Sequence, residues 1–478
     1  MKIALFSSEV VPFANTGGLG DVCGALPFAL EKLGLKVVII MPRFKSVERF
    51  KNNIKEMDEA VSTTTIGQNI PVFFLRNDLL FDREGLYGDK NGDYPDNLER
   101  FQFFCFKSLE LLKKLNLSVD IVHCHDWQTC LIPAYLKFLY ADDPFFKNMK
   151  SILTIHNMAY QGLFQASEFP KLQLEQRLFN ADGFEFYEQI NFLKGGIVFS
   201  DRVTTVSKTY AREIQTREFG CGLEGVLEKR TNPVAGILNG LDYERWNPAE
   251  DPFLSQRYSS FNIHDKTINK QQLQYDMKLP ARKDCPLFGF VGRLSYQKGL
   301  DLLFQVMDDL LKMDLKMVFL GVGEEKYHTM LTDLTHRHPT KIAARLEFAE
   351  ALAHRIYAGS DIFLMPSLFE PCGLSQMISL RYGTIPLVFK TGGLADTVVH
   401  YNADSGRGNG FVFDQYTPQS FLKAMEEAVA VFHDRSLFPQ LVQKALTHDF
   451  SWDRSAREYM ELYRNLLKGE QSLNGGIT

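Results

Sequence analysis

The six residues Thr16-Gly17-Gly18-Leu19-Gly20-Asp21 are the most informative stretch of this chain, because nearly the same six return as Thr391-Gly392-Gly393-Leu394-Ala395-Asp396. Each copy follows an apolar run that predicts a buried strand, Lys2–Ser7 in the first half and Ile385–Phe389 in the second. Paired glycines let a backbone approach a ligand closely, and a helix start offers N–H groups to anions and hydroxyls. The repeat therefore predicts two halves of similar build with a ligand cleft between them.

Short apolar runs alternate with helical patterns along the whole chain, which predicts an α/β protein. The runs are continuous rather than alternating in polarity, as in parallel sheets covered on both faces, so we expect two doubly wound, Rossmann-like domains. The predicted strands are Lys2–Ser7, Lys36–Met41, Val72–Leu75, Ile121–His125, Ser151–Ile155, Val203–Val206, Leu287–Val291, Met317–Leu320, Leu346–Ala349, Ile362–Met365, Ile385–Phe389 and Gly410–Phe413. The predicted helices are Leu19–Leu33, Leu98–Leu115, Gln128–Leu139, Tyr210–Thr216, Leu300–Leu311, Lys326–His336, Ala351–Gly359, Leu374–Tyr382 and Pro418–Phe432.

The chain has 478 residues, which is too long for one hydrophobic core. The turn at Asn239-Gly240 predicts the boundary between a first domain, 1–238, and a second domain, 239–448. A closing amphipathic helix within 449–468 is expected to pack back on the first domain. The last residues, 469–478, are expected to be disordered.

Composition excludes several classes of function. The chain is 45% hydrophobic and 23% charged with a net charge of −5, so no overall basic field favours nucleic acid or anionic lipid. No run reaches the ~18 apolar residues that a membrane helix needs. The seven cysteines form no CxxC pair, and their odd number argues against a disulfide framework. We therefore expect a cytoplasmic protein without membrane or nucleic-acid partners.

The segment Pro366–Leu374 is the strongest local signal in the second half. A predicted strand ends at Met365, Pro366 breaks it, and Gly373 precedes a helix. This arrangement brings Glu370 and the amides of Cys372, Gly373 and Leu374 to the carboxyl end of a strand, where they can hold sugar hydroxyls or a phosphate. The structural alternative is that Glu370 only complements the helix dipole.

Two cations follow another predicted strand of the second half, Leu287–Val291. Arg293 and Lys298 lie on the loop before the next helix, where a guanidinium fork and an ammonium can clamp a diphosphate. In a transfer reaction they would neutralise a leaving nucleoside diphosphate. The alternative is a solvated pair of loop cations.

Polar residues also end two strands of the first half. His156 and Asn157 follow one strand, and Asp126 with Trp127 follows another, after His123 and His125. Carboxylate and indole suit a sugar site, whereas no third ligand cluster supports a metal. We expect His123 to be a core residue. The chain has neither a Gly-x-Ser-x-Gly elbow nor a phosphate-binding GxxxxGK[ST] loop, which argues against triad hydrolases and P-loop enzymes.

Together these segments resemble the bacterial glycogen synthase and plant starch synthase family, retaining glucosyltransferases of the GT-B fold. The resemblance runs from Met1 to about Tyr463. Besides the two Thr-Gly-Gly-Leu turns, the matching segments are Ser8–Phe13, Tyr94–Phe101, His125–Trp127, Thr154–Gly162, Asn191–Gly196, Gly222–Gly225, Gly236–Pro248, Arg293–Lys298 and Glu370–Leu374.

The resemblance implies transfer of glucose from ADP-glucose to the nonreducing 4-hydroxyl of glycogen or another α-1,4-glucan, without a metal or other cofactor. The first domain would lie on the acceptor side, and the second would bind the nucleotide sugar. The catalytic residues implied are Glu370, His156, Arg293, Lys298 and Asp126. The implied donor-binding residues are Asn15, Gly17, Gly18, Asp21, Asn157, Asn239, Phe348, Cys372, Gly373, Leu374, Thr391, Gly392 and Gly393. The implied acceptor-binding residues are Tyr94, Asn97 and Trp127.

The chain departs from the family pattern at several positions. Asn15 stands where a lysine is usual, which removes a cation from the site. Leu368 and Gln128 replace an arginine and a histidine, and Phe348 replaces a base-stacking tyrosine. Ile378 lies where related transferases often have an acid that holds ribose, although the starch-type branch also tends to lack an acid there.

Alternatives follow from these departures. One is the same reaction with UDP-glucose as donor, and another is a non-catalytic glucan-binding homologue. A GT-B phosphorylase would need a pyridoxal-phosphate lysine, for which no segment stands out. The sequence gives no indication of the oligomeric state.

Overall fold

The computed structural model describes residues 1–469 and divides them into two compact units. Of the described residues, the first unit contains Met1–Gly240 and 452–469, and the second contains Leu241–Ser451. Its first segment thus ends at Gly240, close to the sequence-based boundary at 238. Of the tail predicted at 469–478, all but Gly469 lies outside the described residues.

The first unit is built on a nine-stranded sheet with the order β14-β13-β9-β8-β1-β2-β5-β4-β3. Its strands run parallel from β14 to β5, and β4 and β3 extend that edge antiparallel. A small sheet, β10-β12-β11, and a hairpin, β6-β7, complete it. The strands are β1 (Lys2–Phe6), β2 (Lys36–Pro42), β3 (Lys55–Glu56), β4 (Val61–Ile66), β5 (Ile70–Leu75), β6 (Gly88–Asp89), β7 (Gly92–Asp93), β8 (Ile121–His125), β9 (Lys150–Ile155), β10 (Leu163–Gln165), β11 (Glu185–Phe186), β12 (Gln189–Asn191), β13 (Arg202–Thr205) and β14 (Ala235–Gly236).

Helices cover this sheet, and one sequence-predicted helix is broken. The predicted helix Gln128–Leu139 is a 3₁₀ turn, a short α-helix and a π-turn, in which the N–H of Tyr140 bonds to the carbonyl of Tyr135. Pro133 lacks an N–H and is tolerated because it lies in the first turn. The helices are α1 (Gly18–Lys32), α2 (Asp78–Phe81), α3 (Asn97–Lys114), α4 (Leu131–Ala134), α5 (Phe192–Phe199), α6 (Lys208–Glu213) and α7 (Glu224–Glu228).

The second unit has a six-stranded, wholly parallel sheet with the order β17-β16-β15-β18-β19-β20. Successive side chains of its strands enter opposite core layers, so that Phe288 packs on one face and Leu287 on the other. The predicted strand Leu346–Ala349 is wrong, because the strand ends at Arg345 and the apolar run after it forms a loop. The strands are β15 (Leu287–Val291), β16 (Lys316–Leu320), β17 (Ile342–Arg345), β18 (Ile362–Met365), β19 (Ile385–Phe389) and β20 (Phe411–Phe413).

The helices of the second unit include two that the sequence pattern did not reveal, α8 (Lys266–Asp276) and α16 (Leu437–Ala445). The buried Lys266 of α8 donates hydrogen bonds to the carbonyl of Ala358, at 2.6 Å, and to the hydroxyl of Thr384, at 2.7 Å. The helices are α8 (Lys266–Asp276), α9 (Leu300–Gln305), α10 (Met307–Leu310), α11 (Glu325–Arg337), α12 (Glu350–Gly359), α13 (Ser375–Arg381), α14 (Gly392–Thr397), α15 (Pro418–His433) and α16 (Leu437–Ala445).

The last described helix, α17 (Trp452–Lys468), belongs to the first unit and packs on α1. Its Tyr463 hydroxyl lies 2.9 Å from Nδ1 of the buried His123 on β8. Its Ser455 hydroxyl donates to the carbonyl of Leu238. Within residues 1–469, none of the helices has the length and apolar character required to cross a bilayer.

Candidate active site

In each of the two large sheets, successive strands are added first on one side of the starting strand and then on the other. This reversal of strand order creates a crevice. In the first unit the chain grows from β1 through β2 to β5 and then returns to β8 on the other side of β1. In the second it grows from β15 through β16 to β17 and then returns to β18. Ligands of open α/β sheets bind at the carboxyl ends of the strands beside such a reversal. Asp126 follows β8, Arg293 and Lys298 follow β15, and Glu370 follows β18, whereas His156 and Asn157 follow β9, the neighbour of β8.

Asp126 is fixed at the reversal of the first sheet. It directly follows β8, and its Oδ1 accepts a hydrogen bond of 2.7 Å from the backbone N–H of His156, after β9. Its φ of +56° is unusual for a residue with a side chain. Such a conformation costs about 1–3 kcal/mol and is typical of functional sites. The backbone therefore stores strain at the point where it directs this carboxylate.

Asp126 is also electrostatically unusual. Burial raises the pKa of Asp126 to about 7, while hydrogen bonds from the backbone of His156 and Asn157 oppose the shift and the charge of Glu9 adds to it. A carboxyl group with a pKa near neutrality can exist in either protonation state at physiological pH. The protonation state of Asp126 is therefore sensitive to pH near neutrality.

Three buried histidines lie on or directly after the strands β8 and β9 beside Asp126. Nδ1 of His125 is 2.9 Å from Nε2 of His156, and Nε2 of His123 is 2.7 Å from the hydroxyl of Thr154. Burial lowers the pKa of both His156 and His123 to about 3. These rings are neutral at physiological pH, so they act as hydrogen-bonding groups rather than as cations. The expected core position of His123 agrees with its complete burial.

The first Gly-Gly turn is held by Glu9, a residue that the sequence reasoning did not assign to the site. Glu9 is only 3% exposed. Its carboxylate accepts hydrogen bonds from the backbone and hydroxyl of Thr16, at 2.5 and 2.7 Å, and from the hydroxyl of Tyr87, at 2.6 Å. The spacing of Glu9 and Thr16 within one motif was the available signal, but only the structure shows the contact.

The first turn itself is open. Asn15, Gly17 and Gly18 are exposed, and Oδ1 of Asn15 accepts the N–H of Gly17 at 2.9 Å. Apart from the chain neighbours and the backbone of α1 itself, no heavy atom of the described chain lies within 4 Å of a Cβ built at Gly17 or Gly18. Asp21 lies in the first turn of α1, which begins at Gly18. The turn thus leaves space beside a helix N-terminus.

The proposed acceptor residues occupy structural positions. Asn97 is buried, and its amide bonds to the carbonyl of Tyr87 and the guanidinium of Arg100. The half-buried Tyr94 is in cation–π contact with Arg100, at 5.0 Å. Trp127 is buried, and its ring packs edge-on against Phe101, at 4.9 Å. These contacts hold the three residues within the first unit, and direct glucan contact by them stays a prediction.

Asn157 and Asn239 both lie in the first unit. Oδ1 of Asn157 accepts the N–H of Ala159 at 3.0 Å, which closes a turn after His156. Asn239 is buried, and its Oδ1 has no hydrogen-bond partner within residues 1–469. An unsatisfied buried acceptor is costly and calls for an explanation, and ligand binding by Asn239 stays a prediction.

Lys298 and Glu370 meet at the reversal of the second sheet. Nζ of Lys298, on the loop after β15, lies 2.6 Å from Oε2 of Glu370, on the loop after β18. The hydroxyl of Ser367 donates to the same carboxylate oxygen at 3.1 Å. The ammonium and carboxylate that the sequence placed on two loops therefore form one ion pair.

Backbone contacts hold the loops around this pair. The side-chain amide of Gln297 donates to the carbonyl of Phe369 at 3.1 Å. A Cβ at Gly392 would lie 2.0 Å from the carbonyl oxygen of Glu370, and one at Gly393 would lie 1.9 Å from that of Cys372. The second Gly-Gly turn thus packs directly on the Glu370 loop, and both glycines are required for that approach.

The remaining predicted residues of the second unit follow its strands or precede its helices. Arg293 is exposed on the β15 loop. Cys372, Gly373 and Leu374 lie immediately before α13, and Thr391 is buried immediately before α14. Phe348 is 88% exposed on the loop after β17. Within the described part of the chain, no three or more histidine, cysteine or acidic residues are arranged to hold a metal ion.

Comparisons with known proteins agree with this architecture. A family described as starch synthase catalytic domain matches residues 2–229, and one described as glycosyl transferases group 1 matches residues 272–432. Glycogen synthases of Thermotoga petrophila and Syntrophotalea carbinolica are 46% and 45% identical to this chain, over 98% of it and 99% of each relative.

Solved structures give the same result. The catalytic domain of starch synthase IV from Arabidopsis thaliana, bound to ADP and acarbose, superimposes with a TM-score of 0.89 at 34% identity, covering 98% of this chain and 99% of that chain. A sucrose-phosphate synthase from Thermosynechococcus elongatus, at 16% identity and a TM-score of 0.61, covers 98% of this chain and 100% of its own and shows the fold alone.

Two doubly wound units with site residues at both reversals, together with these matches, define a GT-B glycosyltransferase. The predicted fold class and enzyme class are thereby confirmed. The chain belongs to the glycogen synthase and starch synthase family, as its motifs indicated, and it is a glucosyltransferase.

Proposed function

We propose that the protein transfers glucose from ADP-glucose to the nonreducing end of glycogen or another α-1,4-glucan, with retention of configuration. The observation that carries the proposal is the Lys298–Glu370 pair at the reversal of the second sheet. A cation and a carboxylate side by side match the two parts of a nucleotide sugar, its diphosphate and its hydroxyl-rich ring.

Donor binding would rearrange this pair. The diphosphate competes with Glu370 for the ammonium of Lys298, and Arg293 on the same loop adds a second cation. Glu370 remains hydrogen-bonded to Ser367. The carboxylate, released from Lys298, then accepts hydrogen bonds from the hydroxyls of the glucose ring. The two cations would then stabilise the leaving ADP, so the scheme needs neither a metal nor another cofactor.

The helix starts of the second unit would complete donor binding. The amides of Cys372, Gly373 and Leu374 precede α13, and the turn Thr391–Gly393 opens α14. N–H groups at such positions bind anions and hydroxyls.

The first unit would supply the groups around the reacting carbon. Asp126, His156 and Asn157 follow β8 and β9, and Asn239 keeps a buried unsatisfied oxygen. We assign Asp126 to the sugar hydroxyls and the backbone of His156 to the charge that develops on the anomeric carbon. Asn15, Gly17, Gly18 and Asp21 would contact the donor from the open turn, and Tyr94, Asn97 and Trp127 would border the acceptor.

The choice of ADP rests on two observations. The related starch synthase IV of Arabidopsis thaliana is described as bound to ADP. In this chain Phe348 is almost fully exposed beside the carboxyl ends of the strands, where a phenyl ring can stack on adenine. A cytoplasmic location, inferred from the cysteine pattern, stays a prediction.

The test is incorporation of glucose into glycogen from ADP-glucose and from UDP-glucose, side by side and without added metal. We expect kcat/KM to be higher with ADP-glucose. A preference for UDP-glucose would refute the donor assignment and leave the reaction intact. Glycogen binding without incorporation from either donor would refute the proposed reaction.

A further inference from the structure

A hairpin of the first unit displays an aromatic side chain in an unusual conformation. Strands β11 and β12 are joined by Tyr187 and Glu188, with φ of +47° and +64°. Tight hairpin turns of this handedness normally use asparagine and glycine, because other residues are strained there. Tyr187 is nonetheless 80% exposed, and its ring packs edge-on against Phe186 at 4.7 Å.

A second strained loop contacts this hairpin. Cys221 has a φ of +52°, and the next residue, Gly222, is so close that a Cβ on it would lie 2.9 Å from Phe186 and 3.7 Å from Tyr187. The described chain has seven residues other than glycine with positive φ, and three of them, Tyr187, Glu188 and Cys221, lie in these two adjoining loops. Asp126, after β8, is another of the seven. Strain of this kind persists where the surroundings enforce it, often at ligand-binding sites.

Gln161 connects this surface to the active site. Its side chain donates to the carbonyl of Cys221 at 3.0 Å and accepts from the amide of Asn191, at the end of β12, at 2.6 Å. It directly follows Tyr160, which is 53% exposed and closes the turn after Asn157. The hairpin, the Cys221 loop and the segment that carries His156 are therefore braced together.

We propose that Tyr187 and Tyr160 form a subsite for the α-1,4-glucan acceptor, beyond the glucose residues at the reacting end. The inference rests on the proposed function. Tyrosine presents a flat apolar face with a polar edge, and a pyranose ring has an apolar face of C–H groups with hydroxyls at its rim. The strained turn holds that face in solvent, where a polysaccharide can reach it.

A linear sugar chain suits this surface better than a protein partner. A stable protein interface takes about 800 Å² and 20–30 residues from each partner. The exposed hydrophobic side chains here are few, Tyr187, Tyr160 and Leu163. Two exposed rings, on segments that Gln161 braces together, can each stack on a sugar ring of a linear chain, which needs no continuous apolar patch.

The test compares maltoheptaose affinity in the absence of donor for Tyr187→Ala, Tyr187→Phe and Tyr275→Ala, by titration calorimetry. Tyr275 on α8 is the matched control, a tyrosine of similar exposure, 77%, in the second unit. We expect Tyr187→Ala to weaken binding about tenfold, as when a buried aromatic contact is truncated. Tyr187→Phe should keep the affinity within about twofold because its ring face is unchanged. Tyr275→Ala should match the wild type.

Equal affinity of Tyr187→Ala and Tyr275→Ala would overturn the proposal, and so would a change confined to the oligomeric state, which would make the hairpin an interface between copies. Because binding is measured without donor, the result is independent of glucose transfer. Loss of maltoheptaose binding in Tyr187→Ala would support the subsite even if neither nucleotide sugar were used. In an active enzyme the KM for ADP-glucose should stay unchanged in this variant.

Discussion

The two Thr-Gly-Gly-Leu turns have nearly the same sequence but use their glycines differently. At Gly17 and Gly18 an added methyl group would meet no heavy atom of the described chain within 4 Å, apart from the chain neighbours and the backbone of α1 itself. At Gly392 and Gly393 it would lie within 2.0 Å of backbone carbonyls from the Glu370 loop. The first turn therefore leaves space, whereas the second fills it with protein.

The threonines of the two turns differ in the same way. Thr16 is exposed, and the buried carboxylate of Glu9 holds it through two hydrogen bonds. Thr391 is buried, and the turn after it supports the loop of Glu370. A shared motif thus indicates close backbone approach in both places, but not whether a ligand or another loop makes that approach.

The largest expected effect concerns the loop that the second turn supports. Glu370→Gln should lower kcat by about 100-fold to 1,000-fold, as when one preorganised electrostatic group is removed from an active site. The matched control is Ser367→Ala, which removes only one hydrogen bond to the same oxygen and should cost much less. Steady-state kinetics with thermal melts check both, and near-normal turnover of folded Glu370→Gln would contradict the proposed role.

A smaller effect is expected at the open turn. Asn15→Lys restores the cation that the family usually has before the first Gly-Gly pair. One charge-assisted contact is worth ~1.5–3 kcal/mol, so the KM for the donor should fall roughly tenfold to a hundredfold. Asn15→Ala is the control, since it removes the bond to Gly17 without adding charge. If Asn15→Lys and Asn15→Ala behaved alike, no donor charge would be near this turn.

The smallest expected effect is on the pH dependence of activity, and it concerns Glu9, whose carboxylate holds the first turn through Thr16. If the Asp126 carboxylate is the active form, activity should rise with pH through about 7, because burial raises its pKa to that value. Glu9→Gln keeps one hydrogen-bond acceptor oxygen but removes a like charge, so the midpoint should fall. The pH profile of kcat measures this, and an unchanged midpoint would refute the coupling of Glu9 and Asp126.

Asp126 and the histidines should affect stability in opposite directions. The pKa of Asp126 is raised above its ordinary value of 3.8, so its contribution is fully present below that value and lost as pH rises to about 7. The pKa of His156 is lowered to about 3, so its contribution is present above its ordinary 6.5 and lost on acidification. These groups favour opposite ends of the same pH range.

Much of the fold could be predicted because its strands are continuous apolar runs. Ile121–His125, Leu287–Val291 and Ile362–Met365 were predicted to the residue, since each lies in the interior of a sheet. The edge strand β17 was missed because its sequence is weakly apolar, while the run after it ends in a loop with the exposed Phe348. Helix α8 was missed because several of its buried positions are polar, including Lys266.

The site was predictable as a set of residues at strand ends but not as a set of contacts. The order of strands brings Lys298 and Glu370 to one crevice, yet their ion pair depends on loop conformations that no periodicity encodes. Glu9 escaped assignment because a glutamate beside a strand is common, and only its burial and its bonds to Thr16 and Tyr87 distinguish it.

The central claim is that the first Gly-Gly turn leaves space for a ligand, whereas the glycines of the second turn let the Glu370 loop pack against it. Its most direct test is a side-by-side comparison of Gly18→Ala and Gly393→Ala, by thermal unfolding and by the KM for ADP-glucose. We predict that Gly18→Ala keeps or gains stability, up to about 1 kcal/mol, because alanine favours a helix start, and raises the KM about tenfold, or ~1.4 kcal/mol. Gly393→Ala should lose about 1–3 kcal/mol or more through overpacking. Equal destabilisation by both substitutions, or an unchanged KM in Gly18→Ala, would contradict the account.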